Sequence, residues 1–180
     1  MAQAKKKKRF FDVEIPSINK TTQIRAFEIE DLNEKYMKYD LTRILRGKGM
    51  ELQLKVKIVD GKAIAEPTRI KLLPYYMKRI IRKGTNYVED SFSTPTKNAP
   101  IRIKPFLITR RKVSKAVRRA LRNKCKEELT EYVKDKTTNE IFEDIFSNKL
   151  QKTLSLKLKK IYPLSACEIR ILKVEETTKE

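Results

Sequence analysis

The cleanest pattern in the chain runs from Met50 to Val59. Leu52, Leu54, Val56 and Ile58 alternate there with Glu51, Gln53, Lys55 and Lys57. A period of two puts all the apolar side chains on one face of a strand. Asp60-Gly61 follows at once, the favoured two-residue hairpin turn because both positions tolerate positive φ. Lys62 to Arg69 then returns as the partner strand. Shorter alternations surround this hairpin. Phe11, Val13 and Ile15 alternate with Asp12 and Glu14, and Pro16 ends the run. Ile24 to Glu30 repeats the pattern more weakly. Tyr36 to Leu45 predicts a third strand, turning at Arg46-Gly47-Lys48-Gly49. Tyr87 to Ser93 and Ile101 to Thr109 read as strands joined by the polar loop 94–100, which holds two prolines. Pro105 cannot donate to a ladder, so its strand is expected at an edge or at a bulge. Ile169, Ile171 and Val174 alternate with Arg170 and Lys173 in a last strand that returns to the sheet.

Elsewhere the period changes to that of a helix. Pro74 to Lys83 carries Tyr75, Tyr76, Met77, Ile80 and Ile81 at helical spacing, with Pro74 suited to the first turn and Gly84 to the stop. Ser114 to Lys134 is a longer helix with Val117, Ala120 and Leu121 on its apolar side. Thr138 or Asn139 caps another carrying Ile141, Phe142, Ile145 and Phe146, and Leu150 to Ile161 makes a third, stopped by Pro163. The expected organisation is a basic disordered arm over 1–9, one α+β domain over 10–175 and a polar tail over 176–180. The domain should hold a strongly curved, mainly antiparallel sheet with helices gathered in the C-terminal third.

Charge narrows the function. The 180 residues include 43 Lys+Arg against 23 Asp+Glu, a formal net charge of +20. Such self-repulsion destabilises a compact monomer unless a polyanion neutralises it. Nucleic acid is the usual polyanion, because cations bound to phosphates release condensed counterions. A membrane surface is the rival, but no apolar run approaches ~20 residues, no lipidation motif is present, and no apolar signal core follows Lys5–Arg9. A cytosolic protein is expected. The chain has no histidine, which removes the usual base near neutral pH and the commonest metal ligand. No phosphate-cradling glycine loop appears among only four glycines. Cys125 and Cys167 form no CxxC pair and read as two reduced, partly buried thiols. Neither a cofactor nor a metal is expected.

The cations cluster. From Lys78 to Lys126 there are 16 basic residues against two acids, Glu89 and Asp90, a clustered footprint of the kind nucleic-acid binders carry. Acids dominate from Glu127 to Asp144. Within the long helix Lys115, Arg118, Arg119, Arg122 and Lys126 fall on one stripe. Arg118, Arg119 and Arg122 should face away from Val117, Ala120 and Leu121, so that replacing them spares the core. Cations at the start of a helix oppose its dipole, at up to ~1 kcal/mol each. A helix selected for stability alone would be charged the other way, and a phosphate-contacting face is therefore expected. Further candidates are Arg110, Arg111 and Lys112 ahead of that helix, the glycine-flanked loop with Arg43, Arg46 and Lys48, and Arg79, Arg82 and Lys83 at the end of the shorter helix. The terminal run Lys5, Lys6, Lys7, Lys8 and Arg9 completes the set. The aromatic residues fall mostly at inward positions and read as core.

Taken in order, FFDVEIP, IRAFEIEDL, MELQLKVKIVDGKAIAEPTRI, YYMKRIIRKGTNYVEDSF, PIRIKPFLITRRKVSKAVRRALRNKCKEEL and KLKKIYPLSACEIRILKVE resemble the archaeal and eukaryotic small-subunit ribosomal protein family called S-three-a-e, also e-S-one. The likeness covers Phe10 to Glu175. Its most specific pieces are Lys160-Ile161-Tyr162-Pro163-Leu164 with Glu168-Ile169-Arg170, and the step Thr109-Arg110-Arg111. The resemblance implies a β-barrel-like core plus helices on the subunit platform, with the Phe10–Pro16 segment against the subunit body. It implies small-subunit rRNA, neighbouring platform proteins and messenger RNA near the exit as partners. A short segment between Pro16 and Ile24, Leu72-Leu73-Pro74 ahead of the helix, and no long C-terminal extension of the eukaryotic type suggest an archaeal member. Two other classes stay open. A metal-dependent RNA-processing enzyme would draw ligands from Glu89-Asp90 or Glu127-Glu128, away from the basic stripe. A free polybasic membrane adaptor would need an amphipathic anchor with exposed aromatics.

Overall fold

The structure, a computed structural model, describes residues 7–175. These fall into two compact units. One takes in the described residues up to Tyr39 together with Leu52–Thr68; the other takes in Asp40–Glu51 and the described residues from Arg69 onward. Nine strands, mostly antiparallel, and four helices make up an α+β fold among the described residues.

The first unit is built on hairpins. β1 (Arg9–Ile15) and β2 (Lys20–Ala26) pair antiparallel along their whole length, from Arg9↔Ala26 to Ile15↔Lys20. Pro16 opens the single 3-10 turn between them, and Asn19 closes it in the left-handed region at φ 50°. β4 (Met50–Val59) pairs with β5 (Lys62–Leu72) across Asp60 and Gly61, whose φ values of 50° and 74° are those the dipeptide was expected to supply. Leu52, Leu54 and Val56 are buried as the alternation requires, and Ile58 is half-buried. β3 (Tyr36–Asp40) pairs with β4, and β1 adds in parallel to β5 at Val13↔Ala63 and Glu14↔Ile64.

Two strand expectations shift. The strand placed at Ile24–Glu30 lies earlier, at Lys20–Ala26, because the register with β1 ends at Ala26 and the chain then turns through Glu30–Leu32 to bury Leu32. The strand expected from Tyr36 to Leu45 stops at Asp40. There the Asp40 carboxylate accepts a hydrogen bond from the Thr42 amide at 2.8 Å and turns the chain.

In the second unit β8 (Ile101–Thr109) is central. β9 (Leu164–Val174) lies antiparallel on one side and also pairs with Arg69–Lys71 of β5. On the other side the expected strand over 87–93 is two short ones, β6 (Tyr87–Glu89) and β7 (Phe92–Thr94). Pro105 is therefore not at an edge. It sits at a bulge, where the register with β9 shifts, and between the pairs Glu89↔Phe106 and Phe92↔Ile103, so its missing N–H interrupts no ladder on that side.

The helices are α1 (Pro74–Ile80), α2 (Lys115–Lys134), α3 (Thr138–Phe146) and α4 (Lys149–Leu158). α2 buries the row Leu121, Cys125, Leu129 and Val133 against β6, β7 and α4. α1 ends at Ile80, three residues short of expectation, and Gly84 takes its positive φ of 82° in the turn that follows. The cap of α3 is Thr137, one residue before the expected position. Its hydroxyl accepts from the Glu140 amide, and the Glu140 carboxylate accepts from the Thr137 amide at 2.9 Å, a reciprocal capping box. Thr137→Ala should cost about 1 kcal/mol, read as a melting temperature roughly 2–4 °C lower.

Candidate nucleic-acid interface

β8 ends at Thr109, whose side chain is buried, and the chain then runs out through Arg110, Arg111 and Lys112, all exposed. A small clasp fixes this exit. The Thr109 amide donates to the Asn86 carbonyl at 2.9 Å, and the Thr109 hydroxyl accepts from the Asn86 amide at 3.0 Å. That hydroxyl also lies 2.7 Å from the Arg111 carbonyl, and the Asn86 side-chain oxygen accepts from the Val113 amide at 2.8 Å. Asn86 follows Arg82, Lys83 and Gly84 and precedes Tyr87. Two basic segments far apart in sequence are thereby held beside each other at one end of the sheet.

α2 begins directly after this step, capped by the Ser114 hydroxyl, which accepts from the Val117 amide. Lys115, Arg119, Arg122 and Lys126 are exposed along it. Together with Arg118, Asn123, Tyr87 and Val88, the first three line an open groove between α2 and β6. Tyr87 forms the opposite wall. Its side chain is 55% exposed and its ring centroid lies 5.8 Å from that of buried Phe106. Further along, the Lys126 ammonium stands 5.8 Å from the centroid of Phe92.

The expected rotation of α2 needs correction. Ala120 is exposed and Arg118 is half-buried, with its Nε shielded from solvent. The buried row climbs by i, i+4 from Leu121, and position 118, one turn earlier, lies within its angular range, whereas 120 lies off it. Lys115, Arg119 and Arg122 keep the outward placement expected of them.

The two smaller basic segments also meet. Arg43 and Arg46 are exposed in the turn after β3, with Arg46 and Gly47 both at positive φ. The Arg79 guanidinium of α1 donates to the Gly47 carbonyl at 3.0 Å and lies over the Tyr76 ring at 5.2 Å. Gly49 tolerates no side chain where Tyr75 now sits, since a Cβ there would stand 2.4 Å from the Tyr75 hydroxyl. Lys48 departs from its neighbours. Only 8% exposed, it donates to the Asn148 side-chain oxygen at 2.9 Å and pairs with Glu168 of β9 at 2.5 Å. Burial pushes the Glu168 carboxyl above its usual range against the pull of Lys48. Lys48 is thus enclosed in the fold and does not join the exposed cations.

Of the terminal run, Lys5 and Lys6 lie outside the described residues. Lys7 is exposed, the Lys8 ammonium lies 5.3 Å over the Phe27 ring, and Arg9 opens β1. The acidic stretch after Glu127 is partly consumed within the helices. Glu128 pairs with Lys124 at 3.2 Å and with Lys157. Asp144 pairs with Lys136 and accepts from the Tyr132 hydroxyl at 2.9 Å. Burial alone would raise the Asp144 carboxyl, but those hydrogen bonds outweigh it and hold it below the usual range. Among the described residues no three metal-ligating side chains gather, and no helix is long and apolar enough to cross a membrane. Asn86 and Tyr87 are the residues that sequence reasoning passed over. Tyr87 was legible in principle, since it alternates with inward Val88.

Residues 2–178 match the family model described as the Ribosomal S3Ae family. The chain belongs to that family. It is similar to proteins named "Small ribosomal subunit protein eS1" from several archaea. The one from Pyrobaculum arsenaticum is 26% identical over 157 residues, covering 84% of this chain and 71% of the relative. That from Methanothermobacter thermautotrophicus is 32% identical over 95 residues, covering 52% and 49%. That from Nanoarchaeum equitans is 26% identical over 168 residues, covering 88% and 84%. The matched stretch is thus between about half and about five-sixths of these relatives' length. In this S3Ae-family chain the Thr109-Arg110-Arg111 step that carried the resemblance is the clasped exit of β8, and Lys160–Leu164 links α4 to β9.

Proposed function

We propose that this chain is a structural constituent of the small ribosomal subunit, without enzymatic activity, which binds folded rRNA in the cytoplasm and serves translation. The observation that carries the reading is where cations lack partners. Among the described residues Arg110, Arg111, Lys112, Lys115, Arg118, Arg119 and Arg122 have no carboxylate partner, whereas Lys124 of α2, Lys157 of α4 and Lys136 between α2 and α3 are paired internally. Seven cations gathered along one stretch of the second unit, with no carboxylate among the described residues to neutralise them, suit an external polyanion. The cations that oppose the α2 dipole lie in that same stretch. Arg82 and Lys83 extend it through the clasp, Arg43, Arg46 and Arg79 form a second patch, and the basic run Lys5–Arg9, whose Arg9 opens β1, adds further cations. Neighbouring platform proteins and messenger RNA near the exit follow as partners from the family resemblance. So does a barrel-like curvature of the sheet, supported by the bulges in β8 that bend a strand.

The test has two arms. Tagged protein should co-sediment with small subunits on a sucrose gradient; recovery only as free monomer reverses the reading. Affinity for an rRNA fragment should fall by on the order of 10³–10⁵ between low and moderate salt, given roughly 6–10 phosphate contacts. A flat salt response would transfer the affinity to stacking or base readout.

A further inference from the structure

We propose that Tyr87 and the α2 groove form a subsite for an unpaired nucleotide of the bound RNA, with its base stacked on the Tyr87 ring and its flanking phosphates on Lys115, Arg119 and Arg122. The proposal rests on the RNA-binding reading above and adds a strand state and a stacking residue to it.

The Tyr87 ring is more than half exposed although β6 holds its backbone firmly. Tyr87 pairs with Ile108, its neighbour Val88 is buried, and the Asn86 clasp fixes the residue before it. Its ring rests against Phe106, which is fully buried. The ring is therefore propped in place, and a ligand that lies on its open side orders little on binding. Facing it across the groove are cations of one helix and the Asn123 amide, which can both donate to and accept from a base edge. An aromatic platform beside a row of cations is the combination that holds single-stranded nucleic acid: the ring takes a base and the cations track the backbone. A fully paired A-form helix turns its base faces inward and would leave the Tyr87 ring with nothing to stack on. An acidic peptide would satisfy the cations but would likewise leave the ring without a flat partner.

The probes are a short oligoadenylate carrying 2-aminopurine and a blunt RNA duplex of equal charge, titrated against the full chain. Stacking of ~1–3 kcal/mol per base means that Tyr87→Ala should weaken single-strand binding by about 5–150-fold. Duplex affinity and the salt slope should stay as in the parent, because no phosphate contact is lost. Tyr87→Phe should bind like the parent. Tyr87→Leu keeps an apolar side chain against Phe106 and should behave like Tyr87→Ala, which separates stacking from packing. In the parent, 2-aminopurine fluorescence should change on binding, and in Tyr87→Leu it should not. Equal single-strand affinity in the parent and Tyr87→Leu overturns the proposal, as does an equal loss for strand and duplex. Displacement of the oligoadenylate by oligoglutamate at matched charge, with the same Tyr87 dependence, would transfer the groove to an acidic peptide and also overturn it. Because Tyr87→Leu leaves every cation in place, a failure here leaves the basic-face reading standing. That reading is tested separately, by co-sedimentation with small subunits, by the salt response and by replacing the cations themselves.

Discussion

A variant in which Lys115, Arg119 and Arg122 all become glutamine will melt where the parent melts and lose RNA affinity by orders of magnitude. All three side chains are exposed on α2 and none has a carboxylate partner among the described residues. Glutamine keeps good helix propensity, and removing Lys115 from the first turn relieves a dipole conflict worth up to ~1 kcal/mol. The chain as a whole also moves closer to neutrality from +20. Each lost charge-assisted phosphate contact, at about 1.5–3 kcal/mol, weakens binding by about tenfold or more. The salt slope should become shallower by about one unit per contact. Arg118 is left out deliberately: its half-buried stem packs within the α2 row, so its removal would mix a packing loss with a charge loss. A melt and an RNA titration at two salt concentrations decide the matter. A lowered melting temperature with normal affinity in the surviving folded protein would make these cations structural.

The second large effect concerns stability alone. Lys48→Met should destabilise the fold by about 3–5 kcal/mol, because it leaves Glu168 buried without its cation. The pH dependence has a definite sign. Burial already raises the Glu168 carboxyl, so the folded chain holds that proton to higher pH than the unfolded chain does. Stability therefore falls as pH rises from the ordinary carboxylate range through the raised value. Without Lys48 the carboxyl rises further, and the loss measured on the acidic side of that window should be smaller than the loss at neutral pH. Lys48→Met combined with Glu168→Leu should recover most of the stability, since an apolar pair of similar volume avoids burying a charge. Denaturant melts of the three chains at two pH values test this. If the single and double variants are equally unstable, the pair is incidental and Lys48 acts through its packing.

These two cases show what a linear reading could and could not reach. Period-two alternation identified the β4–β5 hairpin because the dyad pattern and the Asp60-Gly61 turn are local. The basic character of α2 was equally legible, since helical spacing converts a run of letters into a face. Lys48 looked identical to Arg43 and Arg46 because its partners, Asn148 ahead of α4 and Glu168 in β9, come a hundred or more positions later. Arg118 was misplaced for a subtler reason. The apolar row of α2 advances by four, and a stripe judged from its first two turns is rotated relative to one judged from all of it. Pro105 offered two options, edge or bulge, and only the pairings on both flanks of β8 could choose between them. The clasp of Asn86 with Thr109 depends on a crossing of two segments, which no spacing reports.

The position of β9 has a consequence for how the chain is made. β9 is synthesised after α2, α3 and α4, yet it pairs with β5 and lies along the length of β8. Until it emerges, β8 carries an apolar run, Ile101 to Thr109 in which seven of nine side chains end up buried, with one long edge bare. A bare apolar edge is a template for pairing with another nascent chain, and contacts this distant in sequence form late. The interval between synthesis of β8 and synthesis of β9 is therefore the aggregation-prone stage in the life of this protein. Translational pauses or truncations between α2 and β9 should send it to chaperones or to inclusion bodies, however stable the finished fold is.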